Sequence, residues 1–164
     1  MAGYGTDQRF EDWLTENGHA TLDAGSLTPA MLRQRGSAYL DGTYEARLPG
    51  YRTGGLEQER AWPRTGVTVR HQAIPTDVVP LAWEHASYAA ALYEAQNPGG
   101  LSVATSQARA VKRKKLDVIE TEFFEGSGNA VADATVRLTA VEGLIASFLL
   151  PDHTGASIGL WAVG

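Results

Sequence analysis

The sequence predicts a mainly α fold, namely a small helical bundle with a β-strand or hairpin excursion, a long ordered loop and an extended C-terminal tail. Three observations support this prediction. Several segments carry apolar residues at helical spacing, residues 119–123 alternate as a half-exposed strand does, and about 27 residues from Pro49 to Pro75 fit neither pattern. With 164 residues, the chain is expected to form one domain over residues 1–150, followed by the tail at 151–164.

The first two helices have clear start and stop signals. Residues 7–17 (DQRFEDWLTEN) place apolar side chains at positions i, i+3 and i+4, and Asn17-Gly18 ends this segment. In the second helix Thr28 is a suitable N-cap, because its hydroxyl can accept a hydrogen bond from a free backbone amide. Pro29 then fits the first helical position, where no N–H is needed.

Two glycines interrupt the second helix, and a third helix follows the long loop. Gly36 and Gly42 each weaken a helix by about 1 kcal/mol relative to alanine, but their missing side chains would let another backbone come close. For the third helix, Thr76 or Asp77 is the expected N-cap, with Pro80 inside the first turn. The small residues of this helix predict close helix packing.

The C-terminal part predicts a β excursion near residues 111–125 and a last amphipathic helix over about 134–149. Within the excursion, IETEF places apolar or β-branched residues alternately with glutamates, a pattern typical of a half-exposed strand. Pro151 is expected to end the last helix.

The stretch AWPRTGV, residues 61–67, is the most unusual part of the long loop. Loops of this length are uncommon in compact domains and are usually functional or disordered, and the apolar residues along this one predict that it is ordered. We interpret AWPRTGV as a rigid elbow: Trp62 anchors it on the core, Pro63 stiffens it and Gly66 turns it. Arg64 is expected to contact either loop carbonyls or a neighbouring subunit.

Basic charge is concentrated in one place. The net charge is −5, yet residues 109–115 hold five basic side chains and no acid. This basic patch could contact a nucleic-acid backbone, with Phe123 or Phe124 stacking on bases, or it could pair with acidic residues of this chain or another copy. The acidic remainder of the chain favours the second interpretation. The residues of the patch are Lys112, Arg113, Lys114 and Lys115.

The sequence lacks the patterns of common enzymes and metal proteins. There is no cysteine, and the four histidines lack the spacing of metal ligands. No nucleophile elbow or P-loop occurs, so we predict no catalytic residues, no metal and no cofactor. No apolar run approaches the roughly 20 residues that span a bilayer, and the acidic N-terminus is unlike a signal peptide. We therefore expect a cytoplasmic protein that has no membrane partner.

The C-terminal tail ends in apolar residues that have no obvious core to join. We predict that it docks into a partner protein or an adjacent subunit, because tryptophan is a common interface anchor. The alternative is that Trp161 folds back on the helices of its own chain. The predicted docking residues are Ile158, Leu160, Trp161 and Val163.

Four segments of the chain together resemble a family of tailed-phage and prophage proteins. They cover roughly residues 30–149 and are YLDGTY (39–44), RTGGLEQERAWPRTGV (52–67), IPTDVVPLAWEHASYAAALY (74–93) and VKRKKLDVIETEF (111–123). Members of the family are head–tail connector or adaptor proteins, often labelled DnaT-like single-stranded DNA-binding proteins. AWPRTGV is the more specific motif, and the C-terminal tail is longer here than in the usual pattern.

The resemblance implies a structural protein of the virion, located at the head–tail interface and assembled in the host cytoplasm. Such an adaptor forms a ring with copies of itself, commonly twelvefold, between the portal protein and the tail or a stopper or terminator protein. Genomic DNA passes through its lumen, and the C-terminal tail would dock into the portal or an adjacent subunit. In a ring, one face of each subunit contacts a different face of the next subunit. Basic and acidic side chains are concentrated in different segments of this chain, which suits such a contact. The alternative function is a single-stranded DNA-binding accessory of replication or packaging.

Overall fold

The computed structural model of the chain describes residues 2–19, 25–102, 113–116, 119–122 and 136–151. Helices dominate this part, which confirms the prediction of a mainly α fold. The α-helices are α1 (Asp7–Glu16), α2 (Pro29–Tyr44), α3 (Leu81–Gln96) and α4 (Thr139–Ile145). Single 3-10 turns lie at Glu45–Arg47, Gly55–Glu57 and Ala146–Phe148.

Threonine hydroxyls cap the first two helices. In α1 the Thr6 hydroxyl accepts a hydrogen bond from the Arg9 amide at 3.2 Å. In α2 the Thr28 hydroxyl accepts from the Met31 amide at 3.3 Å, and Pro29 is the first helical residue. The predicted start of α2 is therefore confirmed, and each cap satisfies a backbone donor that has no partner within its helix.

Helices α2 and α3 approach each other at Gly36. A Cβ atom added at Gly36 would lie 2.2 Å from the carbonyl oxygen of Ser87 and 2.8 Å from the amide nitrogen of Ala91. The prediction that a second backbone comes close is confirmed at this glycine. It is wrong at Gly42, where a Cβ would meet no atom within 4 Å.

Helix α3 is the centre of the described structure. From Trp83 to Ala95 every residue except His85 is buried. The helix begins at Leu81 with Pro80 as its cap residue, so the prediction of a start at Thr76 or Asp77 is wrong. The physical reason is that a proline disfavours the helical conformation of the residue before it, so Val79 is unsuited to a helix and the helix cannot begin before Pro80.

The connecting segment, residues 49–80, is ordered as predicted and forms two short antiparallel ladders. Strand β1 (Tyr51–Arg52) pairs with β2 (Arg64–Thr65), which brings the two ends of a long excursion together. Strand β3 (Thr68–Val69) pairs with β4 (Gln72–Ala73) in a tight hairpin.

A three-stranded antiparallel sheet follows α3 and has the order β5-β6-β7. Its strands are β5 (Arg113–Leu116), β6 (Ile119–Glu122) and β7 (Arg137–Leu138). The predicted β excursion is therefore present as a hairpin with a third strand. The predicted last helix over 134–149 is shorter in the structure, because residues 137–138 pair with β6 and only then does α4 begin.

The core joins the helices to the connecting segment. One buried cluster lies among α2, α3, α4 and the elbow, and a smaller one lies among α1, α2 and α3. The largest fully buried side chains include Trp62, Trp83, Tyr44, Tyr88 and Phe10. Trp62 comes from the connecting segment, so this segment is part of the core and not an appendage to it.

Candidate functional surface

The N-terminal strap, residues 2–6, ties the connecting segment to the helices. The guanidinium of Arg33 on α2 donates hydrogen bonds to three successive carbonyl oxygens of the strap at 2.7–3.2 Å. The Tyr4 hydroxyl donates to Asp41 Oδ1 at 2.7 Å and accepts from the Trp62 amide at 3.1 Å. Burial raises the pKa of the Asp41 carboxyl. No sequence pattern in MAGYGT pointed to this strap, since its partners lie far away in the chain.

The elbow is fixed to the core by Trp62. Its indole is 1% exposed, and its ring centre lies 6.1 Å from that of Trp83 and 6.1 Å from that of Phe148. The Trp62–Pro63 peptide bond is cis. Gly66 has φ +79°, a conformation that L side chains rarely adopt, and it is exposed. The geometry of these residues fits the predicted anchoring and turning.

Arg64 is a buried clamp within the connecting segment, 5% exposed. Its guanidinium donates to the carbonyl oxygens of Pro49, Gly50 and Ala61 at 2.9, 2.8 and 3.1 Å. It also lies 3.4 Å from Glu45 Oε1. The structure therefore places Arg64 against loop carbonyls, the first of the two contacts expected from the sequence. A contact with a neighbouring subunit is untested, and little of the side chain is exposed to make one.

A second arginine braces the segment from the other side. Arg52 donates to both carboxylate oxygens of Glu45, each at 2.6 Å, and also to the Gln58 carbonyl oxygen. These hydrogen bonds lower the pKa of the Glu45 carboxyl, since they favour its charged form. One carboxylate at the end of α2 thus holds two arginines of the connecting segment.

The braced segment exposes apolar side chains. The Thr53 hydroxyl donates to the Thr76 carbonyl oxygen at 2.7 Å and lies 3.1 Å from the Thr65 hydroxyl, so three parts of the segment meet there. Exposed apolar residues flank two of these parts: Tyr51 at 66% and Leu56 at 102% of full exposure lie near Thr53, and Val78 at 41% lies near Thr76. We call Tyr51, Leu56 and Val78 the apolar rim.

The basic patch lies opposite acidic residues where the structure describes its backbone. The register of β5 and β6 places Arg113 opposite Glu122 and Lys115 opposite Glu120. Opposite charges at directly facing positions of an antiparallel pair are stabilising. This register agrees with the second interpretation of the patch, in which its basic residues pair with acidic residues of the same chain.

Several predicted residues lie outside the described part of the chain. They are Lys112, the aromatic residues Phe123 and Phe124, and the tail residues Ile158, Leu160, Trp161 and Val163. Their predicted roles in docking and nucleic-acid contact stay predictions.

A cleft of about 530 Å³ lies beside α2 and α3. Its two charged groups, Arg35 and Glu94, bond to each other at 2.7 Å, and Glu94 also accepts from the amides of Gly99 and Leu101. Both charged groups of this cleft are thus already paired within the chain. Among the described residues there is no group of three or more histidines and acids that could hold a metal, and no helix long and apolar enough to cross a membrane.

The chain matches a known protein family over nearly its whole length. The sequence profile of the family described as "Putative DnaT-like ssDNA binding protein" matches residues 3–163. The chain belongs to this family. The match spans the whole region that carries the resemblance found in the sequence, together with the strap and nearly all of the tail. No curated protein and no solved structure matches the chain significantly.

Proposed function

We propose that this DnaT-like family member is a structural connector of a tailed-phage particle, which forms a ring between the portal and the tail or a stopper protein. DNA passes through the lumen of this ring. The partners in this proposal are copies of the chain itself, the portal and the protein below it. The assembly has its place in the virion, at the head–tail interface.

The observation that carries the proposal is the braced connecting segment with its apolar rim. Trp62 and Arg64 hold the segment rigidly on the helices, and yet Tyr51 and Leu56 stay exposed. A rigid surface that exposes apolar side chains loses little conformational entropy on binding and gains from their burial. Such a surface suits a subunit that must meet a neighbour in one fixed geometry.

The charge distribution also favours protein contacts over indiscriminate DNA binding. Three of the four arginines of the connecting segment, Arg52, Arg60 and Arg64, are bonded inside the chain, and Arg70 is the exception. The chain as a whole carries a net charge of −5. Since neutralisation of phosphates drives non-specific DNA binding, an acidic chain with internally bonded arginines is a poor general DNA binder.

A second candidate, a single-stranded DNA-binding accessory of replication or packaging, is favoured by the description of the matching family, which names single-stranded DNA as the ligand. This match supports the second candidate more directly than it supports the connector. The basic patch at residues 112–115 would supply its phosphate contacts.

Quantitative mass spectrometry of purified particles separates the two candidates. We expect the copy number of this chain to be close to that of the portal protein. Absence from particles, with the protein abundant in infected cells, would refute the connector and favour the DNA-binding accessory.

The apolar rim can be tested in the same particles. The double variant Tyr51→Ser/Leu56→Ser should fold normally and fail to enter particles, because both side chains are exposed in the monomer. Met31→Ser is the matched control, since Met31 is 47% exposed but lies on α2, outside the connecting segment. Normal incorporation of the double variant would remove the rim from the assembly surface. Deletion of residues 155–164 tests the predicted docking tail by the same readout.

A further inference from the structure

The β3–β4 hairpin has an unusual tip. Val69 lies opposite Gln72, so Arg70 and His71 form a two-residue connection, which we call the hairpin tip. Both residues have positive φ, 48° for Arg70 and 66° for His71. Positive φ at both central residues is the requirement of a type I′ turn, for which Asn-Gly is the preferred sequence.

Arginine and histidine are unfavourable choices for this backbone. Their Cβ atoms make the left-handed region costly, whereas glycine and asparagine adopt it readily. Burial of the side chains does not compensate for this cost, because both residues are exposed. The base of the hairpin is firm, since the Ile74 amide donates to the Val67 carbonyl oxygen at 3.0 Å and Val67 is 2% exposed. The hairpin thus presents two exposed side chains whose backbone conformation is unfavourable.

Arg70 also differs in its bonding from the other arginines whose side chains the structure describes. Each of the others has a carboxylate or a carbonyl oxygen as a partner, whereas Arg70 has neither. These bonded arginines are Arg9, Arg33, Arg35, Arg47, Arg52, Arg60, Arg64 and Arg137. A guanidinium has five donors and binds phosphate in bidentate fashion, so the donors of Arg70 are available to an anion from outside the chain.

We propose that the hairpin tip contacts the phosphate backbone of nucleic acid. This inference rests on the proposed function, because both candidate functions place DNA close to the chain. An exposed guanidinium beside an imidazole offers donors to a phosphate without base recognition. A single contact on a chain with a net charge of −5 holds the strand weakly, which suits DNA that has to move along the protein.

The double variant Arg70→Asn/His71→Gly separates binding from folding. It installs the preferred sequence of a type I′ turn, so the hairpin should become more stable and the denaturation midpoint should rise. The same change removes the guanidinium, with its positive charge, and the imidazole. Arg70→Lys is the matched control, because it keeps a positive charge at the tip.

Binding of the full-length chain to a short oligothymidylate and to a short duplex is measured by fluorescence anisotropy over a series of salt concentrations. Backbone amide shifts recorded by NMR locate the contact. For the wild type we expect shifts at residues of the tip and beside it. In the double variant we expect about tenfold weaker binding. The slope of the logarithm of the binding constant against the logarithm of the salt concentration should become less steep by about 0.7 for the single strand, or about 0.9 for the duplex. The lysine variant should keep most of the affinity.

Two results would overturn the inference: the wild type binds neither oligonucleotide, or the double variant binds as tightly as the wild type. If a variant that keeps its DNA binding also fails to enter particles, the tip contacts a protein instead. Particle stoichiometry is a separate measurement, so the connector can stand or fall independently of the hairpin tip.

Discussion

Replacing Gly36 by alanine tests whether the close approach of α2 and α3 organises the helical core. The added Cβ would lie 2.2 Å from the Ser87 carbonyl oxygen, which is about 1.2 Å less than the 3.4 Å at which ordinary contact begins. It would also lie 2.8 Å from the Ala91 amide nitrogen. Both neighbours are backbone atoms, which cannot rotate away as a side chain can. The two helices must therefore move apart.

The expected magnitude follows from two opposing effects. Alanine favours a helix over glycine by about 1 kcal/mol, whereas overpacking a close-packed core costs about 1–3 kcal/mol and occasionally more. Because the clash involves the backbone of two buried residues, Ser87 and Ala91, we expect the high end of that cost and a net loss of about 2 kcal/mol in the free energy of unfolding. For a chain of this size, the denaturation midpoint should fall by roughly 4–8 °C.

Gly42→Ala is the matched control, since it changes the same residue type in the same helix. A Cβ there would meet no atom within 4 Å, so only the propensity gain of about 0.5–1 kcal/mol remains. Urea denaturation followed by far-UV circular dichroism measures both variants. Equal stability of the two variants would refute the close approach at Gly36.

The other predictions concern single contacts. Arg64→Ala should lower the free energy of unfolding by about 2–3 kcal/mol in thermal denaturation, because three carbonyl oxygens lose a charged donor; an unchanged midpoint would mean that Arg64 does not brace the segment. The hydrogen bonds from Arg52 lower the pKa of Glu45 in the folded chain. The contribution of the Glu45 carboxylate to stability is therefore present above the ordinary carboxyl pKa of about 4, and it is lost as the pH falls through the lower, folded-state pKa. Glu45→Gln should therefore lose less stability than the wild type on acidification, and parallel pH profiles would contradict this. Lys115→Glu places like charges at facing positions of β5 and β6 and should destabilise this pair of strands by about 0.2–1 kcal/mol. Amide hydrogen exchange in β6 should therefore become faster. The effect should be smaller in Lys114→Glu, because the residue that faces Lys114 is uncharged. Equal exchange in the two variants would show that the register does not pair the charges.

Local signals in the sequence were sufficient to predict that the helices exist and that the connecting segment is ordered, but not where α3 begins or how long α4 is. The start of α2 was predictable because a cap depends on residues only three positions apart, as Thr28 and the Met31 amide are. The burial of Trp62 was predictable from its size and apolar character. The start of α3 was misplaced, although Pro80 carried the signal, because a proline can either begin a helix or disfavour the helical conformation of the residue before it.

The tertiary structure decided what depends on residues far apart in the chain. Gly36 and Gly42 look alike in the sequence, and only the position of α3 gives one of them a packing role. The partners of Arg64 were open until the fold brought the carbonyl oxygens of Pro49 and Gly50 to it. The tip at Arg70 carries no Asn-Gly signal, so only the structure, in which the strands on either side of the tip pair, reveals its turn. The sequence by itself determined the local elements. Long-range contacts determined which of its possible structural roles each residue has.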